Sequence, residues 1–72
     1  MIRTVFRDNR LLFGPLRENE LAMISREPLF EGHGLCARAT SGQVEVYATL
    51  PADSKRAEQV QQWYLKNHTI LA

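Results

Sequence analysis

The stretch at residues 35–50, LCARAT-SG-QVEVYATL, is the most regular pattern in the chain. Two runs of alternating residues flank Ser41-Gly42, and glycine readily adopts the positive φ that a two-residue hairpin turn requires. This turn sets three apolar pairs on one face: Leu35 with Ala48, Ala37 with Val46, and Ala39 with Val44. The stretch therefore predicts an antiparallel hairpin with one apolar face.

A helix is predicted directly after this hairpin. Pro51 ends the strand, and either Asp53 or Ser54 offers a side-chain oxygen that can accept a backbone N–H of the first helical turn. At helical spacing one stripe faces inward, and its members are Ala57, Val60, Trp63 and Tyr64. We expect Trp63 to lie in the core.

The end of the chain is expected to leave this helix. Asn67 and His68 suit a helix C-terminus, because asparagine tolerates the left-handed conformation that is common there. Residues 69–72 then predict a short edge strand. Leu65 lies off the inward stripe, so it sits either at the edge of the core or in solvent.

The first half of the chain predicts a second hairpin and a second helix. Residues 2–6 and 10–13 are apolar-rich runs around Asp8-Asn9. A two-residue loop there would set Arg7 opposite Arg10, an unfavourable like-charge pair that a longer loop would relieve. Pro15 suits the first position of a helix that runs to about Arg26, and Pro28 prevents the helix from continuing. Leu21 and Ile24 share one face of it.

These elements predict an α+β fold, with a small antiparallel sheet of two hairpins and a short C-terminal edge strand packed against two helices. The 72 residues are expected to form a single domain, 1–72, because a second hydrophobic core needs a longer chain. The hydrophobic content of 44% and the charged content of 24% are those of a globular protein, and they exclude a disordered or fibrous chain.

Charge and cysteine content narrow the function classes. Nine Lys and Arg residues against eight Asp and Glu residues give a net charge of +1, which does not make nucleic-acid binding the default. The single cysteine excludes an internal disulfide and suits the reducing cytoplasm. The sequence holds no apolar run of the ~20 residues that a membrane span needs and no signal peptide, so we expect a soluble protein without a membrane partner.

No set of residues predicts catalysis, a metal or a cofactor. His33 and Cys36, with Glu31 and His68, supply too few convergent ligands for zinc, and the hairpin register directs His33 and Cys36 to opposite faces. Glu18 and Glu20 are two residues apart on the predicted helix, so they do not face each other, and both are expected in solvent. We expect a protein that is not an enzyme.

The leading hypothesis is a small protein-binding module. Leu29 and Phe30 lie between the proline that ends the first helix and a glycine-containing loop, and Leu65 lies off the core stripe of the second helix. With Arg26 at the rim, these residues have the composition of an interface centre. On size and composition the chain fits an inhibitor or regulator of the phage accessory type that binds a host protein. The other interpretation is that Leu29 and Phe30 plug one end of the core.

Nucleic-acid binding is the alternative hypothesis. Arg38 and Tyr47 are predicted on the outward face of the second hairpin, where a ligand could contact them. Three further arginines could hold phosphates along the first hairpin: Arg3, Arg7 and Arg10. The competing interpretation is a solvated face on which Arg38 pairs with Glu45.

A homodimer is also expected, because a chain this small has few other routes to additional buried area. Ile70 and Leu71 alternate across the predicted C-terminal strand, so one of them would face a second copy. Pairing of two Phe30 patches is the other predicted route.

Overall fold

The computed structural model describes residues 2–51 and 53–71 as an α+β fold. Four strands form one antiparallel sheet in the order β1-β2-β4-β3, as two hairpins side by side. The elements in chain order are β1 Arg3–Arg7, β2 Arg10–Gly14, α1 Glu18–Arg26, a 3₁₀ helix at Pro28–Phe30, β3 Gly34–Thr40, β4 Gln43–Pro51 and α2 Ser54–Leu71. The predicted fold class is confirmed.

The second hairpin has the predicted register. Strands β3 and β4 pair Leu35 with Ala48 and Arg38 with Glu45, around Ser41 and Gly42. Both loop residues have positive φ, 50° and 81° respectively, as the hairpin turn that matches strand twist requires.

The first hairpin also has a two-residue loop, so a longer loop does not relieve the like-charge pair. Asp8 and Asn9 adopt φ values of 53° and 61°, and short polar side chains of this kind tolerate that region. Arg7 therefore lies opposite Arg10. The repulsion is eased because the Arg10 Nη2 donates to Thr49 Oγ1 at 3.3 Å, on the neighbouring strand β4.

The core lies on one face of the sheet, between the strands and both helices. Phe13, at the middle of this face, packs on the 3₁₀ helix and α2: its ring centroid is 5.4 Å from that of Phe30 and 6.1 Å from that of Trp63. Trp63 packs against the core from the predicted face of α2, but it is partly exposed and is not one of the buried core residues. The buried members of the core cluster are Leu11, Phe13, Leu16, Ile24, Phe30, Ala48, Leu50, Ala57 and Val60.

Helix α2 begins and ends on polar contacts. Asp53 Oδ1 accepts the backbone N–H of Arg56 at 2.9 Å, so Asp53 caps the helix. The helix continues through Leu71, and the predicted C-terminal strand is wrong for residues 69–71, while Ala72 lies outside the described residues. Leu71 is buried, and its carbonyl accepts from the Arg17 Nη2 at 2.7 Å and the Asn19 Nδ2 at 3.1 Å. These contacts stabilise the last turn as helix.

Helix α1 begins at Glu18, so the prediction of Pro15 at its first position is wrong. Glu20 Oε1 accepts the Arg17 backbone N–H at 2.9 Å and its Nε at 3.1 Å. The Glu20 side chain is buried, against the expectation of a solvated carboxylate, while Glu18 is exposed as expected. Burial of Glu20 is compatible with its charge because these donors satisfy it.

Replacing Gly14 tests the close approach of β2 to β4. A Cβ on Gly14 would lie 2.9 Å from both the Tyr47 Cδ2 and the backbone oxygen of Val46. We expect Gly14→Ala to lower the free energy of unfolding by about 1–3 kcal/mol through overpacking, measured by urea denaturation. Gly34→Ala is the control, because its Cβ would meet only the rotatable Thr49 Oγ1, at 3.1 Å. Equal losses in the two variants would contradict this account.

Replacing Glu20 tests the tie between the two helices. Glu20→Ala leaves the Arg17 N–H without its acceptor and frees the side chain that holds the Leu71 carbonyl. We expect it to lower the free energy of unfolding by about 1–3 kcal/mol. Glu18→Ala, in the same helical turn but exposed, should change it by less than about 0.5 kcal/mol. Similar thermal melting of the two variants would argue against a structural role for the buried carboxylate.

Candidate functional site

The predicted protein-binding segment at residues 28–30 is part of the core. Phe30 is fully buried, and its ring centroid is 5.0 Å from that of Trp63. Leu29 is half-buried against the same cluster. The expectation that Phe30 offers a docking surface, to a partner or to a second copy, is wrong, and the interpretation that this segment plugs the core is confirmed.

Arg26 and Leu65, the other predicted interface residues, are both exposed but lie apart. The Arg26 Nε donates to the Ala22 carbonyl at 3.2 Å, and Arg26 borders a shallow cavity formed by residues 24–33. Leu65 lies on α2 and borders a different cavity. Of the predicted apolar anchors, Leu65 is therefore the most exposed, at 73%.

The cavity at Leu65 is a cleft of about 460 Å³ between α2 and strand β1. Its apolar lining comes from α2, from the core and from the residue before β1: Tyr64, Leu65, Phe13 and Ile2. A second cavity of about 420 Å³ continues from Ile2 and Tyr64 toward Pro15 and Leu16. The two cavities are adjacent, since they share Ile2, Tyr64 and His68, but the second is more polar because Arg17 and Glu20 also line it.

The polar groups of the cleft are arranged around its rim. The Gln61 Nε2 donates to Thr4 Oγ1 at 2.8 Å and ties α2 to β1, while the His68 ring packs edge-on against Tyr64 with centroids 5.5 Å apart. Arg3 also lines the cleft, and its lining contains no carboxylate among the described residues. In the continuing cavity, Glu20 is already bonded to Arg17. The open cleft is thus mainly apolar, and Arg3 is the one Lys or Arg residue in its described lining.

Strand β1 is an edge of the sheet and borders this cleft. Its turn makes Arg7 and Arg10 a hydrogen-bonded pair, and alternation along the ladder then directs the N–H and C=O of Thr4 and Phe6 away from β2. Within the described residues, no strand pairs with that side of β1. Phe6, on the helix face of this strand, is half-exposed. The structure therefore sets free backbone groups next to an apolar cleft.

The outer face of the sheet carries the residues proposed for nucleic-acid binding. The arginines of the first hairpin, Arg3, Arg7 and Arg10, are exposed. Tyr47 is on this face as predicted, but its side chain is fully buried against Gly14. The Arg38 guanidinium carbon lies 5.4 Å from its ring centroid, so this ring is not open to a base.

The remaining candidates do not form a site. The His33 Nδ1 lies 2.8 Å from the Phe30 carbonyl, and Cys36 is opposite Tyr47 on the outer face. Within residues 2–51 and 53–71, no group of three or more potential metal-binding side chains occurs. Ile70 is exposed and Leu71 buried, but both are helical, so the predicted strand pairing of the C-terminus is wrong.

The sequence pattern predicted only part of the lining of the cleft. Of its lining residues, the helical pattern singled out Leu65 as lying off the core stripe, either at the edge of the core or in solvent. Ile2, Thr4 and the α2 residues come together through tertiary packing, since they are about 60 residues apart in the chain. No helix within the described ranges is long and apolar enough to span a membrane.

Comparison of the chain with protein-family models, with curated proteins and with solved structures finds no match. The site must therefore be interpreted from its own geometry.

Proposed function

We propose that this protein binds an extended segment of another protein along β1, in the cleft beside α2. The observation that carries the proposal is the juxtaposition of free backbone groups at Thr4 and Phe6 with an apolar cleft bordered by Leu65. A strand added to a sheet edge gains affinity from main-chain hydrogen bonds and specificity from pockets for alternate side chains.

The geometry of β1 specifies which side chains of the segment enter the cleft. Residues of the added strand that bond to Thr4 and Phe6 would share their face of the sheet, which is the helix face. Their side chains would lie beside Phe6 and over Ile2 and Leu65. Every second residue of the segment would therefore be apolar.

The charges around β1 select the other side chains of the segment. Arg3 and Arg7 lie on the outer face of β1, and the strand itself contains no acidic residue. Opposite charges on neighbouring strands contribute roughly 0.2–1 kcal/mol per pair. The preferred partner is a segment in which apolar residues alternate with Asp or Glu. Such a protein would act by covering the bound segment of its partner, as an inhibitor or regulator does.

A pair of matched α2 variants tests the cleft. Leu65 is 73% exposed and Ile70 is 69% exposed, but only Leu65 lines the cleft. We expect Leu65→Asp to weaken binding of an octapeptide with alternating Leu and Glu by about 10- to 100-fold, since burying one leucine contributes about 1.5–3 kcal/mol. Ile70→Asp should leave the affinity within about twofold, measured by fluorescence anisotropy.

The peptide itself supplies the second control. A peptide with Lys in place of Glu should bind more weakly, and amide exchange at Thr4 and Phe6 should slow only when the acidic peptide is bound. No binding at about 1 mM peptide, or equal losses in both α2 variants, would overturn the proposal.

Nucleic-acid binding is the rival function, because the exposed arginines of the first hairpin also suit contact with phosphates. It predicts an electrophoretic shift of DNA or RNA that weakens steeply with salt, because each neutralised phosphate releases counterions. Arg10→Ala should reduce such a shift and Lys66→Ala, on α2, should not. We expect no shift; a shift with this salt dependence, without peptide binding, would replace the peptide proposal.

A further inference from the structure

Strand β3, the opposite edge of the sheet, also has free backbone groups, and the residues that carry them are apolar. The Ser41-Gly42 turn makes Thr40 and Gln43 a hydrogen-bonded pair. Alternation then directs the N–H and C=O of Leu35, Ala37 and Ala39 away from β4. Within the described part of the chain, β3 pairs with β4 alone.

The side chains of the same residues lie on the face of the sheet that carries the helices, in a part of it that the helices do not cover. Leu35 is 56% exposed, and Val44, opposite Ala39 on this face, is 73% exposed. We call this surface the β3 strip; it comprises Leu35, Ala37, Ala39, Val44 and Val46. All of its members are apolar. Natural edge strands are usually guarded by charges, proline or a bulge. The strip carries none of these, and the one charge of β3, Arg38, is on the other face of the strand.

We propose that β3 pairs antiparallel with the β3 of a second copy, about a two-fold axis at Ala37. In this register Leu35 lies opposite the second copy's Ala39, and Ala37 lies opposite its own counterpart. All residues with outward backbone groups then form hydrogen-bonded pairs. A large side chain meets a small one on the strip, so the strand is complementary to itself.

Charge and backbone hydrogen bonding together select this register over its two neighbours. Centring the pair on Arg38 instead would place two arginines directly opposite each other, which is unfavourable. Centring it on Cys36 would leave the outward groups of Ala39 without a partner in the strand. The axis at Ala37 sets Arg38 opposite the second copy's Cys36 and keeps all three outward residues paired.

A second copy also fits better than a different protein. Arg38 is the single charged residue of β3, and it is already opposite Glu45 and stacked on Tyr47. The edge therefore carries a single charge, which already has local contacts, whereas β1 carries two arginines beside its cleft. Because β1 is at the far edge of the sheet, the dimer would leave both β1 clefts open. This inference does not depend on the proposed peptide binding.

Sedimentation equilibrium of the full chain tests the dimer. We expect a concentration-dependent dimer and a melting temperature that rises with protein concentration. Ala37→Pro should weaken dimerisation by about tenfold or more, because it removes an outward N–H that β4 does not use. Val44→Lys, on the strip but one strand away from the edge, is the control and should dimerise nearly as the natural chain does. Circular dichroism at low concentration checks that both variants fold.

Disulfide trapping tests the register. In a Cys36→Ser background, Ala37→Cys would place two thiols opposite each other in a hydrogen-bonded pair, with Cα atoms about 5.5 Å apart, within reach of a disulfide. Thr40→Cys, on the same strand, would face the second copy's Gly34 and should not cross-link. A monomer at about 1 mM, or equal cross-linking of the two variants, would overturn the proposal. A dimer insensitive to both Ala37→Pro and the thiol positions would do so too.

Discussion

Contact between Phe13, Phe30 and Trp63 joins the sheet, the 3₁₀ helix and α2, and the other features of the fold are arranged around it. The Phe30 and Trp63 rings meet edge-on with centroids 5.0 Å apart, and both pack on Phe13. Such aromatic pairs contribute ~0.5–1.5 kcal/mol each beyond the area they bury. A chain of 72 residues without a disulfide depends strongly on a cluster of this kind.

The core packs mainly on the two central strands, β2 and β4, and this explains which surfaces of the sheet remain exposed. Helix α1 has nine residues, and with α2 it covers β2 and the nearer half of β4. The helix face of β3 and the tip of its hairpin extend past them, which leaves Leu35 and Val44 exposed. On the other side, α2 touches β1 at Thr4 and leaves a cleft beside it. Both edges are accessible because the two helices cannot cover four strands.

The two edges differ in charge, and this difference separates the two proposals. Strand β1 presents Arg3 and Arg7 next to an apolar cleft, which favours an acidic, alternating partner segment. Strand β3 presents an apolar strip whose one charged neighbour, Arg38, already has local contacts. Electrostatic complementarity selects among partners where charge is unmatched, whereas an apolar, self-complementary edge selects its own copy.

Local patterns in the sequence were sufficient for the four strands of the two hairpins. Alternation and the Ser41-Gly42 turn specify the register of β3 and β4, because a shift by one residue would move every apolar side chain to the other face. The helical stripe likewise indicated that Trp63 packs inward and that Leu65 lies off the stripe, and the structure places Leu65 in solvent. These features depend on residues close together in the chain.

Contacts between distant residues decided the rest. Residues 69–71 stay helical because Leu71 is buried and its carbonyl is held by Arg17 and Asn19, across more than 50 positions. Phe30 is enclosed by aromatic rings from two other elements, which no local pattern indicates. The cleft arises in the same way, since Ile2 and Leu65 become neighbours only when α2 packs on the sheet. Periodicity reports which face of an element is apolar, whereas the depth of burial depends on what the fold places over that face.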